Sequence, residues 1–253
     1  GVVEKSLCMW GQPHRRFVHQ LQAGRVHLGQ CHVSLRRAWT AADGHDLEFK
    51  VSARGDRAKI GAGILKRCEQ GLETKLVATG PQAVRIAVDS IVKATNYAKR
   101  RRDDGEATPE TPVRFAFIPS EKTLIKSTVD EGSPWLFINF RVRPLRADNV
   151  HDPPEDKCAF LRVSAATEHK ILAGAVRGTY ERQCLGEDGF PLLVAMGTPS
   201  VAAAVKAVAR ARQENSTTKR GYPPFLCIPS WYTHADGRVE TRLLIQSFRT
   251  LRL

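Results

Sequence analysis

Past residue 46 the chain alternates between two apolar patterns, and each pattern occurs twice. Phe49 and Val51, and later Leu161 and Val163, alternate with polar neighbours, which predicts a half-buried strand in each place. Ile60, Ile64 and Cys68 recur at helical spacing, as do Leu172, Val176 and Tyr180. A longer helix is predicted where Val84, Ala87, Val88, Ile91 and Val92 form an i, i+3, i+4, i+7, i+8 stripe. Val201, Ala204, Val205, Val208 and Ala209 reproduce that stripe position for position. Pro81 follows Gly80 at the start of the first such helix, where a missing N–H costs nothing. Two short apolar strands, separated by polar, glycine-containing loops, close each unit. The predicted order is β-α-β-α-β-β, twice.

Residue identities strengthen the case for a repeat. FKVSA at 49–53 matches LRVSA at 161–165 with an offset of 112. LVATGPQAVRIAVDSIV at 76–92 matches LVAMGTPSVAAAVKAVA at 193–209 with an offset of 117, the added residues falling in a glycine-containing turn at 185–191. FAFIPS at 115–120 matches FLCIPS at 225–230 with an offset of 110. WLFINFRV at 135–142 corresponds roughly to RLLIQSFR at 242–249. Four ordered blocks with small shifts in offset are a repeat rather than coincidence. The expected class is two-layer α+β, with units at 47–146 and 158–253 joined by an acidic, proline-containing linker at 147–157.

The second unit also resembles a known family. LRVSA, ILAGAVRG, VAMGTPSVAAAVKAVARAR, FLCIPS and the hairpin around Asp236 and Gly237 are similar to the stage V sporulation protein S family, itself Alba-like. The resemblance covers about residues 160–251 well. It covers 47–143 more loosely, because the loops at 99–112 and 121–134 are enlarged. Alba-like proteins bind DNA or RNA and work as dimers, so the resemblance implies two tandem Alba-like domains that pair within the chain. It also implies two binding surfaces, the loop entering the first helix and the hairpin between the last two strands. The matching positions are Arg54, Arg57 and Lys59 in the first unit and His169 and Lys170 in the second. For the hairpins they are Lys122 and Lys126, then Trp231, His234 and Arg238. Thr167 and Glu168 replace cations in the second unit's first loop, so the first unit is expected to bind more strongly.

Charge fits that expectation. The formal net charge is +13 with a pI near 9.8, and residues 47–146 carry +7 of it. Such an excess favours polyanions, because cations that neutralise phosphates release condensed counterions. Residues 1–46 form an irregular arm with Arg15, Arg16, Arg25, Arg36 and Arg37 and no acidic residue between Lys5 and Arg37. That composition resembles an organellar transit peptide. An arm of this kind is ordinarily disordered unless a partner holds it, and a folded RNA is the natural partner; packing on its own globular part is the other reading.

Other motifs are open to two readings. Gly80 and Gly197 each stand between a strand and a helix, where helix N–H groups and Arg85 suit a phosphate; glycine there equally serves the tight turn. Lys99, Arg100, Arg101 and Arg102 end the long helix, where they complement its dipole, contact phosphate, or pair with the acidic loop that follows. Gly61 to Gly63 and Ala173 to Ala175 read as small residues that let a helix approach a sheet. Trp135 and Trp231 sit at hairpin ends, able to stack on unpaired bases or to pack on their neighbours.

Several functions are excluded or unsupported. No G-x-x-x-x-G-K-[ST] loop is present, and no nucleophile–base pair or paired carboxylates stand out. Six cysteines without a C-x-x-C pair, and histidines without ligand spacing, predict free thiols and no metal or other cofactor. The longest apolar runs fall far short of the ~20 residues that span a bilayer, so a soluble chain is expected. The expectation is a non-catalytic RNA-binding subunit of a large ribonucleoprotein, such as a mitochondrial ribosome, contacting rRNA and neighbouring proteins. A DNA-binding developmental regulator and a protein-binding scaffold are the rivals.

Overall fold

The computed structural model describes residues 48–108, 111–124, 135–146, 152–187, 189–217 and 222–247. Its elements run β1 (Glu48–Val51), α1 (Arg57–Glu69), β2 (Thr74–Thr79), α2 (Pro81–Asp103), β3 (Arg114–Leu124) and β4 (Trp135–Leu145). A 3-10 turn at Glu155–Lys157 leads into β5 (Cys158–Val163), α3 (His169–Cys184), β6 (Phe190–Ala195), α4 (Thr198–Thr217), β7 (Phe225–Thr233) and β8 (Val239–Ser247). The protein is thus mixed α/β of the α+β kind, with four helices and eight strands among the described residues.

Local sequence explains the boundaries. Asp56 caps α1 by accepting from the backbone N–H groups of Ala58 (2.8 Å) and Lys59 (3.2 Å). α2 and α4 both begin after a glycine with positive φ, +80° at Gly80 and +81° at Gly197. A Cβ at either position would meet nothing within 4 Å, so the left-handed backbone, not lack of space, asks for glycine there. The strands alternate as expected, with Leu76 and Ala78 of β2 buried and Lys75 and Val77 half-buried.

All eight strands join in one sheet of order β1-β2-β4-β3-β7-β8-β6-β5. β1 and β2 are parallel, as are β5 and β6, while the other neighbours are antiparallel. The second half repeats the first in reversed spatial order, and the halves meet at Phe117 of β3 opposite Cys227 of β7. Residues from all four helices and one face of the sheet share a single core, which includes Ile64, Val84, Ile91, Phe117, Phe140, Val176, Val205 and Leu243. A smaller cluster on the other face, including Ala116, Ile118, Leu226 and Leu244, draws only on strands and their flanks. Two layers result.

Helix packing differs in one respect from the reading of the small residues. A Cβ on Gly61 would lie 2.9 Å from Lys93 Cβ and 2.9 Å from the Ser90 carbonyl oxygen. The glycine therefore brings α1 close to α2, helix against helix rather than helix against sheet. In the second half the equivalent residue, Ala173, carries its methyl group fully buried.

The linker residues also bind back. Asp152 pairs bidentately with Arg114 at the start of β3. Glu155 accepts from Arg242 Nη1 of β8 at 2.5 Å, so the acidic stretch is tied to both halves. Among the described residues, no helix is long and apolar enough to cross a membrane.

Candidate functional site

The β1–α1 loop, the N-terminal turns of α2 and the end of β7 converge on one carboxylate. Asp89 sits on the packed side of α2, and its side chain is 1% exposed. A buried carboxylate is costly unless paired and hydrogen-bonded, and here it has three donors. Arg57, in the first turn of α1, donates from Nη1 at 3.0 Å. Arg85, one turn earlier on α2, donates from Nε at 3.1 and 3.2 Å. Trp231, from the second half of the chain, donates its indole N–H at 3.1 Å. Lys93 Nζ lies 5.3 Å from the centroid of the Trp231 ring, within cation–π range.

The cluster is buried at its acidic centre and open at its basic rim. Arg57 leaves 55% of its side chain exposed and Arg85 leaves 20%. A tight turn shapes the loop: Gly55 N–H donates to the Ser52 carbonyl at 3.0 Å, and exposed Arg54 and Lys59 flank Arg57. Two cations, Arg57 and Arg85, thus bind one carboxylate, and a third, Lys93, lies against the ring of its indole donor.

The second half does not rebuild this arrangement. By the repeat offsets, His169 replaces Arg57, Ala202 replaces Arg85, Lys206 replaces Asp89, and Glu121 replaces Trp231. Charge follows the same asymmetry. Residues 52–103 hold twelve cations and five carboxylates, whereas the equivalent residues 164–220 hold eight and five. Compared with protein-family models, with curated proteins and with solved structures, the chain matches none.

The remaining sequence-selected residues are distributed as follows. Gly80 is exposed at the α2 N-cap, with Pro81 removing one of the N–H donors that the turn would otherwise offer. Lys99 and Arg100 are exposed on the last turns of α2. Arg101 pairs with Glu69 of α1, and Arg102 donates to the Val113 carbonyl at 3.2 Å. These two are held by α1 and the approach to β3, not by the acidic loop that follows them. Lys170 is exposed on α3. Arg238 turns onto Asp236 within its own hairpin at 2.5 Å. Its neighbour His234 bonds Glu240 at 2.9 Å, and the same carboxylate takes Arg242 at 2.7 Å. Lys122 lies on β3 in register with Phe137. Arg15, Arg16, Arg25, Arg36, Arg37 and Lys126 lie outside the described residues.

Trp231 follows the packing alternative. Its indole N–H is committed to Asp89 and one side of its ring faces Lys93. It joins the two halves of the molecule at the hairpin end.

Two groups were not singled out by the sequence. Asp89 carried a legible sign, the i, i+4 spacing from Arg85 on the edge of an apolar stripe. Arg141 and Arg143 of β4 had none, since their partner Glu73 lies in the α1–β2 turn. Glu73 is bound by Arg141 and lies 3.4 Å from Arg143. The hydrogen bond from Arg141 holds its carboxyl below the usual glutamate range despite partial burial. Among the described residues, four cysteines are free thiols, with burial pushing Cys68 up to about 11 and Cys227 well above its ordinary value. Among those same residues, no group of three His, Cys, Asp or Glu side chains could hold a metal ion.

Proposed function

We propose that this protein binds RNA without catalysing a reaction, through the basic helix-side surface of its first half. The observation that carries the reading is the asymmetry between two halves of like topology. Twelve cations against five carboxylates crowd residues 52–103, while the equivalent 164–220 segment holds eight against five. A fold requires no such difference, since α1 and α3 pack alike; a polyanion bound on one side accounts for it. Arg54, Arg57, Lys59, Arg85, Lys99 and Arg100 would supply phosphate contacts, which give affinity with little base readout.

The twice-used β-α-β-α-β-β order suits an Alba-like ancestry, and the edge-to-edge joining of β3 and β7 gives the pair of domains one continuous sheet. On this reading the protein is a structural subunit of a large ribonucleoprotein. An organellar ribosome is the preferred setting, on the composition of residues 1–46.

The test is to purify the native assembly and sequence the nucleic acid that accompanies it, at low and high salt. Specific, salt-released ribosomal RNA is the expected result. Duplex DNA in its place would select the regulator reading, and protein partners with no RNA at low salt would select the scaffold.

A further inference from the structure

We propose that Asp89 positions Arg57 and Arg85 as one preformed phosphodiester grip, completed by Trp231 from the other half, and that the chain holds one such site. The inference rests on the RNA-binding reading and specifies its chemistry.

The geometry points this way for three reasons. First, each arginine spends only part of its fork on Asp89. Arg57 uses Nη1 and Arg85 uses Nε. The remaining guanidinium N–H groups have no acceptor among the described residues, and those of Arg57 lie in a side chain more than half exposed. Planar forks held at fixed spacing match the paired oxygens of a phosphate, which a flexible ammonium does not.

Second, the carboxylate is better supported than a simple stabilising ion pair requires. Replacing a buried pair with apolar residues is often neutral or favourable for stability. The second half does without the pair, with Ala202 and Lys206 in the places of Arg85 and Asp89. Keeping Asp89 nearly inaccessible, and bonding it across the halves to Trp231, fixes two arginines that would otherwise sample many rotamers. Ordering them in advance removes that entropy from binding.

Third, the competing anchor is closed. The α1 N-terminus, which would otherwise attract an anion, already has its N–H groups of Ala58 and Lys59 bound by Asp56. A phosphate approaching this loop therefore meets side chains, not backbone.

The experiment measures binding of the full chain to a fluorescein-labelled RNA hairpin by anisotropy, at several salt concentrations. Arg57→Lys and Arg85→Lys keep the charge and lose the fork. Each is expected to weaken binding about tenfold, the size of one charge-assisted hydrogen bond. Asp89→Asn adds a net positive charge, so uniform electrostatics predicts tighter binding, whereas a lost positioning group predicts weaker binding by about threefold or more. Lys206→Gln, at the equivalent place in the second half, should stay within about twofold, and the titration should saturate at one hairpin per chain.

Either lysine variant binding like the parent, or a folded Asp89→Asn that binds tighter, overturns the grip while leaving RNA binding itself intact. Should Asp89→Asn fail to fold, the two lysine variants still decide. No binding by the parent chain at low salt would instead defeat the RNA-binding reading.

Discussion

Phe117 and Cys227 face each other where the two halves of the sheet join, and the repeat makes them the same position counted twice, 110 residues apart. In an antiparallel pair, opposition of equivalent residues places a local two-fold axis between them. The Thr198 hydroxyl, 3.1 Å from Gln82 Oε1, joins the first turns of α4 and α2 across the same axis. The halves are therefore related as subunits of a symmetric dimer are, with one core shared between them.

Unfolding should accordingly be a single event. Phe117 is fully buried and its ring lies 5.2 Å from that of Phe140. Phe117→Ala should cost about 3–5 kcal/mol and lower the stability of both halves together. Urea titrations followed by tryptophan fluorescence and by far-UV circular dichroism should coincide in parent and variant. Two separated transitions, with the second half unmoved by the substitution, would show that the seam does not couple them.

Glycines that look alike in sequence should behave oppositely. Gly61→Ala drives a methyl group into Lys93 Cβ and the Ser90 carbonyl, and overpacking of this kind costs about 1–3 kcal/mol. Gly174 lies inside α3 with nothing within 4 Å of an added Cβ. Gly174→Ala should therefore raise stability by about 0.5–1 kcal/mol. Thermal melts of the two variants should move in opposite directions; a shared direction would mean that the α1–α2 approach is not set by Gly61.

The contrast also marks what the sequence could and could not convey. Apolar periodicity located both long helices, because the stripe from Val84 to Val92 is regular and its copy is buried at the same positions. Alternation located the strands for the same reason. Pairing of β3 with β7 was not legible, since edge choice depends on how two complete halves meet. The candidate site was half legible. Arg57 and Arg85 stood out one by one as cations at a loop and a helix start. Their convergence depends on α1 packing against α2, and the third donor, Trp231, is 142 residues from Asp89. Local patterns carry no information over that separation.

Acid should reveal the one carboxylate that ties β4 to the α1–β2 turn. The hydrogen bond from Arg141 lowers the folded-state pKa of Glu73 from an ordinary 4.5. A depressed acid contributes stability that is complete above its unfolded value and is lost as pH falls through the folded one. Parent stability should drop as the pH falls below about 4.5, and Glu73→Gln should flatten that drop. The difference should be no more than about 1 kcal/mol, because half of the Arg141 side chain is exposed. At neutral pH the variant should be the less stable of the two, since Lys75 and Arg141 stand opposite each other in the ladder and like charges there repel. Equal pH profiles would mean that Glu73 is solvated in the folded protein much as in the unfolded chain.

Under the proposed function, the four cations that end α2 should contribute unequally to RNA binding. Each phosphate neutralised adds about 0.7–0.9 to the slope of log affinity against log salt. Lys99 and Arg100 are exposed, and no ion pair engages them among the described residues. Arg101 is drawn to Glu69 and half-buried Arg102 to the Val113 carbonyl, so a phosphate must compete with a contact already made. The Lys99→Gln/Arg100→Gln double variant should reduce the slope by about 1.4–1.8, and Arg101→Gln/Arg102→Gln by less than about half of that. Because both doubles remove the same formal charge, a general basic field would treat them alike. Equal losses would therefore assign the effect to net charge alone, and a larger loss for Arg101 and Arg102 would mean that RNA displaces Glu69.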